Sequence, residues 1–166
     1  CRPARRQRAA ALTLAIAAVW VASAGTAQAG RSCQQKPLDA TAITQGMDLA
    51  LRTQRALDAS GAQVAVLARA GQDLSKYGLQ YSHLGLAYRE ANGHWRVVHK
   101  LNGCGTAEGA LYRQGLGEFF LDDLWRPEAA WVVPQPQVAQ QILRVIQDPQ
   151  REVQLNHKPY SLVSYA

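Results

Sequence analysis

The pair Asn92-Gly93 constrains this chain more than any other two residues. It separates two runs rich in aromatic and β-branched residues, 79–89 (LQYSHLGLAYR) and 95–101 (WRVVHKL). An Asn-Gly pair supplies the positive φ angles that a tight hairpin turn needs, so the runs are expected to lie as antiparallel neighbours. The surrounding stretch, 71–105, also holds His83, His94 and His99, three of the four histidines, together with Cys104. Any chemistry in this chain is expected to start there.

Other elements follow from periodicity. Residues 38–59 place Ile43, Met47, Leu49, Ala50, Leu51, Ala56 and Leu57 at roughly helical spacing among good helix formers. Asp39 or Thr41 is placed to cap this helix, and Gly61 follows its end. Residues 62–70 (AQVAVLARA) form a short apolar run between Gly61 and Gly71, which reads as a buried strand. Residues 106–112 read as one or two helical turns interrupted by Gly109, and Gly115 and Gly117 break any longer pattern. Phe119 and Phe120 read as core, as do Trp125 and Trp131, which would offer stacking surface if exposed. Asp122-Asp123 lacks the alternating ligand spacing of a calcium loop and reads as a solvated turn, so no metal or cofactor is expected. Residues 131–133 form a strand ended by Pro134 and Pro136, 138–146 an amphipathic helix, and 160–165 a last strand. This order predicts an α+β fold with a mainly antiparallel sheet and packed helices.

Charge says less than its total suggests. Of 18 basic residues, four are Arg2, Arg5, Arg6 and Arg8; from Gly30 onward 14 basic residues face 12 acidic ones, interspersed. No nucleic-acid partner follows from that balance. The four arginines precede an apolar run, 9–24, and then Ala27-Gln28-Ala29, the layout of a secretory signal peptide over 1–29 cleaved after Ala29. About 16 apolar residues fall short of the roughly 20 that span a bilayer, so membrane contact is expected only before cleavage. The domain itself is expected over 30–166, in the periplasm or secreted. Because the chain starts at Cys1 and stops in a strand-like run, both ends read as cut.

Strand alternation sorts the hairpin into faces. Tyr81, His83, Gly85, Ala87 and Arg89 share one side, while Ser82, Leu84, Leu86 and Tyr88 share the other. Gly85 leaves room beside the imidazole for a substrate or a second side chain. If Asn92-Gly93 is a two-residue loop, His83 lies across from Asn102, Cys104 falls beside Tyr81, and His99 sits among the apolar residues of the other face. A three-residue loop moves every partner to the opposite side, and His99 then joins His83. Core economy favours the first. The chemistry these residues suggest is thiol catalysis: a cysteine needs a histidine to take its proton, and that imidazole needs a polar group to fix its orientation. His83 is the candidate base and Asn102 or His99 the candidate orienter. The plain alternatives are a packed strand histidine for His83 and a hydrogen-bonded core histidine for His99; His94 and His157 read as exposed. Cys104 is either the nucleophile or half of a disulfide with Cys33, which would close a loop of about 70 residues and contribute roughly 4 kcal/mol.

Gly71, Asp73, His83, Gly85 and His99 resemble the pattern of the permuted papain-like proteins, the NlpC-type amidases and the lecithin–retinol acyltransferase group. Those carry a Gly-Asp motif, a strand with His-x-Gly and a second strand with a polar residue; here Gln72 intervenes between the glycine and Asp73. Over about 33–166, YSHLG, WRVVHKLNGCG and GLGEFFLDD more closely resemble an exported bacterial family with domain of unknown function 2145. The papain-like resemblance implies an acyl-thioester mechanism, with peptidoglycan peptides or another envelope ligand as partner. In those relatives the cysteine follows the histidine nearer the C-terminus, whereas no cysteine follows Cys104 here. Three alternatives stand open: Cys104 serves, the nucleophile lies beyond Ala166, or the domain binds without cleaving.

Overall fold

Periodicity and alternation resolve into eight α and β elements within residues 37–102, 109–122 and 124–148, the residues this computed structural model describes. Helix α1 (Ala40–Ala59) opens at Asp39, whose carboxylate accepts a hydrogen bond from the Ala42 amide at 2.7 Å. It closes at Ser60, followed by Gly61 at φ 68°. Then come β1 (Val64–Arg69), a single 3₁₀ turn (Ser75–Tyr77), β2 (His83–Arg89), β3 (Trp95–Asn102) and β4 (Gly109–Gly115). Helix α2 (Leu116–Leu121), β5 (Ala129–Val132) and α3 (Pro136–Ile146) complete the described chain. The strands form one sheet in the order β4-β3-β2-β1-β5, with every neighbouring pair antiparallel. The fold is α+β, as the element order predicts.

Helices cover both faces of this sheet. On one, Ala65, Leu67, Ala87, Trp95 and Val97 pack against Leu49, Ala50 and Leu57 of α1 and Leu116, Phe119 and Phe120 of α2. Residues 46, 49, 50, 53 and 57 are the buried stripe of α1, and its outer Ile43, Met47 and Leu51 stay exposed. Gly46 is where the two helices meet: a Cβ there would stand 2.9 Å from the Phe120 carbonyl oxygen. On the other face Val64, Tyr88 and Val98 pack with Ile146, Ile142 and Leu143 of α3. Trp95 Nε1 donates to Asp58 at 2.9 Å, fastening the start of β3 to the end of α1. Among the described residues no helix is long and apolar enough to cross a membrane.

Two expectations are corrected. The hairpin loop holds three residues, Ala91, Asn92 and Gly93, closed by Glu90 N–H to His94 O at 2.8 Å and Gly93 N–H to Glu90 O at 2.9 Å. Gly93 takes φ 85°, and the Asn92 side chain accepts from the His94 amide at 2.9 Å. Arg89 therefore pairs with Trp95 and Leu86 with Val98, which puts Trp95, Val97 and His99 on the face of His83. Core economy misleads because a sheet with helices on both sides has two apolar faces, so neither register exposes a hydrophobic set. The second correction is β4, where helical turns were expected. Its glycines bound a strand rather than interrupt a helix: Leu111 joins the α3-side core, and Arg113 on that side bonds the Tyr88 hydroxyl and, at 2.9 Å, the Ile146 carbonyl.

Candidate functional site

His83 begins β2 directly opposite Arg69, the last residue of β1, and Gly85 lies opposite Leu67. On the other flank, His99 pairs with Tyr112 and Val97 with Gln114. Alternation turns Arg69, His83, His99 and Gln114 to the α1–α2 side of the sheet. There, His83 Nε2 lies 2.8 Å from His99 Nδ1, with the rings edge to face at 80° and centroids 5.0 Å apart. His99 Nε2 in turn lies 2.7 Å from Gln114 Oε1. Three strands thus contribute one hydrogen-bonded row. Phe119 of α2 packs against both imidazoles, at 5.2 Å from His99 and 5.9 Å from His83 between centroids.

Arg69 borders this row. It is 4% exposed, its guanidinium stacks on the Phe119 ring at 4.7 Å, and it donates to the Phe119 carbonyl and to Asp122. Burial, and then the positive charges of Arg69 and a protonated His99, disfavour an imidazolium at His83, while Asp122 opposes them; the His83 pKa is pushed down to about 4. His99 is also held below the usual value, chiefly by burial, although its bond to Gln114 acts the other way. Near pH 7 both rings are therefore neutral, which for His83 is the state a general base requires.

Other predicted residues are placed as follows. Asn102 pairs through its backbone with Gly109, and the register that would have set it across from His83 is not the one formed. Cys33, Cys104, His157 and the cleavage position Ala29 lie outside the described residues, as does the strand expected over 160–165. Ser82 is occupied elsewhere: its Oγ accepts from the Gly71 and Gln72 amides at 3.0 and 2.8 Å. Asp73 is exposed and accepts from the Ser75 amide at 2.9 Å; hydrogen bonds from Ser75 hold its carboxyl below the usual range. His94 is exposed. Trp125 and Trp131 were expected in the core and are instead 39% and 38% exposed, because Trp131 lies on the edge strand and Trp125 in the loop before it. Among the described residues no three His, Cys, Asp or Glu side chains converge as metal ligands. An open groove of about 390 Å³ lies at the far end of the sheet, lined by Met47, Leu51, Trp95, Arg96 and Leu116; neither His83 nor His99 lines it.

Arg69 and Gln114 were missed by sequence reasoning. A lone arginine in AQVAVLARA was a readable signal, since a charge inside a buried run needs a partner. Gln114 carried none: it lies past the helical turns expected over 106–112, where Gly115 and Gly117 broke any longer pattern.

A family model described as "Uncharacterized protein conserved in bacteria (DUF2145)" matches residues 56–166. The chain belongs to the DUF2145 family. No curated protein and no solved structure matches it. The matched DUF2145 segment includes Arg69, His83, His99, Gln114, Phe119 and Asp122, hence the whole row and its border.

Proposed function

We propose that this DUF2145 domain is an exported thiol-type hydrolase or acyltransferase acting on amide or ester groups of cell-envelope peptides. His83 is the general base, His99 orients it, and Cys104 is the nucleophile. The observation that carries this reading is the 2.8 Å contact between His83 Nε2 and His99 Nδ1, which gives a neutral imidazole a fixed partner on one nitrogen. Asn102 and Gly109, the nearest described residues on either side of Cys104, pair with each other at the His83 end of the sheet. The papain-like resemblance and the expected signal peptide supply the substrate class and the location.

In this mechanism His83 takes the thiol proton as sulfur adds to the carbonyl carbon. The tetrahedral species collapses, the C–N or C–O bond breaks, and the leaving amine or alcohol takes the proton from His83. Water or an acceptor hydroxyl, deprotonated by His83, then attacks the thioester and releases the acyl product and the thiol. Incubation of the reduced protein with peptidoglycan stem peptides, followed by mass spectrometry, tests this: cleavage or acyl exchange should occur with the native chain and be lost in Cys104→Ala and His83→Ala. Equal turnover by the native chain and Cys104→Ala rejects the mechanism.

A second reading has one observation in its favour, the exposure of Trp125 and Trp131. Here a Cys33–Cys104 disulfide staples a non-catalytic domain that binds a peptide or glycan, with the indoles as stacking surface. Thiol titration of the oxidised, folded protein separates the two, since absence of a free thiol sinks the Cys104 mechanism.

A further inference from the structure

We infer that Gln114 is a positioning residue that fixes the tautomers of both imidazoles and so leaves Nδ1 of His83 as the basic atom. The inference rests on the reading of His83 as general base, and it is carried by two distances. An amide oxygen only accepts, so at 2.7 Å from Gln114 Oε1 the His99 Nε2 must carry its proton. A neutral imidazole holds one N–H, which leaves His99 Nδ1 as a lone pair. The nitrogen 2.8 Å away, His83 Nε2, must then supply the hydrogen between the rings. His83 has spent its only N–H, and its Nδ1 is a lone pair free to take a proton. Among the described residues that nitrogen has no hydrogen-bond partner.

The direction of the row is set at its far end. Were the Gln114 amide turned over, its NH₂ would donate to His99 Nε2, His99 Nδ1–H would donate to His83 Nε2, and His83 would carry its hydrogen on Nδ1. That ring could not act as a base there. The orientation of one amide on β4, two strands away from His83, therefore decides whether the imidazole can accept a proton. Gln114 reaches His99 because it sits opposite Val97, two residues along β3 from His99 and therefore on the same face. The charged or titratable groups bordering the row are Arg69 of β1, Asp122 after α2 and Tyr112 of β4; α2 itself contributes the apolar ring of Phe119. None of the hydrogen bonds found for the row gives His99 Nε2 a second acceptor.

Long-range ¹H–¹⁵N correlation spectra of the histidine rings near pH 7.5 report tautomers directly, whether or not the protein turns over substrate. The native protein should show both His83 and His99 as single Nε2–H tautomers. Gln114→Glu, whose carboxylate also only accepts, should keep that pattern and raise the His99 pKa. Gln114→Leu should replace it with mixed tautomers at His99 and His83. Should the leucine variant fail to fold, the glutamate variant still decides by the direction of the His99 shift. A native spectrum with the proton on Nδ1 of His83, a leucine variant with unchanged tautomers, or a glutamate variant with an unmoved or lowered His99 pKa overturns the inference. An inactive protein with the expected tautomers would instead reject the catalytic reading and leave the role of Gln114 standing.

Discussion

His83 and His99 meet at 2.8 Å because the residue between them, Gly85, has no side chain. A Cβ at Gly85 would stand 2.4 Å from Val97 Cγ1 and 3.2 Å from His99 Cβ, so β3 side chains occupy the space a larger residue would need. The gap that alternation predicted beside His83 is filled by Val97 and the Cβ of His99.

Gly85→Ala is therefore expected to destabilise the protein by about 1–3 kcal/mol, since Val97 is fully buried and must move. Thermal unfolding measures the loss. Ring spectra of the same variant should show the hydrogen bond between the two imidazoles lengthened or lost.

Acid should weaken the fold through the same pair. His83 titrates at about 4 in the folded chain against 6.5 for an ordinary histidine. Above pH 6.5 both states hold a neutral ring and the group contributes nothing to the pH dependence. Between about 6.5 and about 4 only the unfolded chain binds the proton, so stability falls as pH falls, by up to about 1.4 kcal/mol per pH unit from this ring. Below about 4 its contribution flattens. His99 is shifted in the same direction and steepens the slope. Urea unfolding at pH 7, 6 and 5 should show the decline, and His83→Asn should make it shallower.

Much of the fold was legible in the sequence because it is written in local patterns. Asp39 caps α1, 62–70 holds a buried strand, and Asn92-Gly93 turns the hairpin. What local patterns could not reach was the register, which differs between a two- and a three-residue loop that the same Asn-Gly pair permits. Both sheet faces are covered, so hydrophobic pattern could not choose between them. The site inherited that ambiguity: His83 was found from its own strand, but its partner depended on the loop. Gln114 required β4 to be recognised, and glycines 109, 115 and 117 obscured it. The exposure of Trp125 and Trp131 depends on β5 being an edge strand, a property of strand order that no single segment encodes.

Arg69 and Asp122 tune His83 in opposite directions. Arg69→Met should raise the His83 pKa toward its ordinary value by withdrawing a positive charge, and Asp122→Asn should lower it further by withdrawing a negative one. Titration of the ring resonances in both variants checks the signs. Shifts in the same direction would show that the pair acts on His83 through packing rather than charge.

Phe119 joins the core to the site. It is fully buried, supports both imidazoles and carries the Arg69 guanidinium on its face. Phe119→Ala should cost about 3–5 kcal/mol in chemical denaturation. It should also broaden the His83 and His99 ring signals as the row loses its floor.

The most direct measurement is the rate at which iodoacetamide modifies Cys104 in the reduced protein between pH 5 and 9. A thiol served by His83 should react with a midpoint well below the roughly 8.5 of a free cysteine, and His83→Ala should return it to about that value. A Cys104 whose profile already sits near 8.5 and is indifferent to His83→Ala would contradict the assignment of His83 as its base.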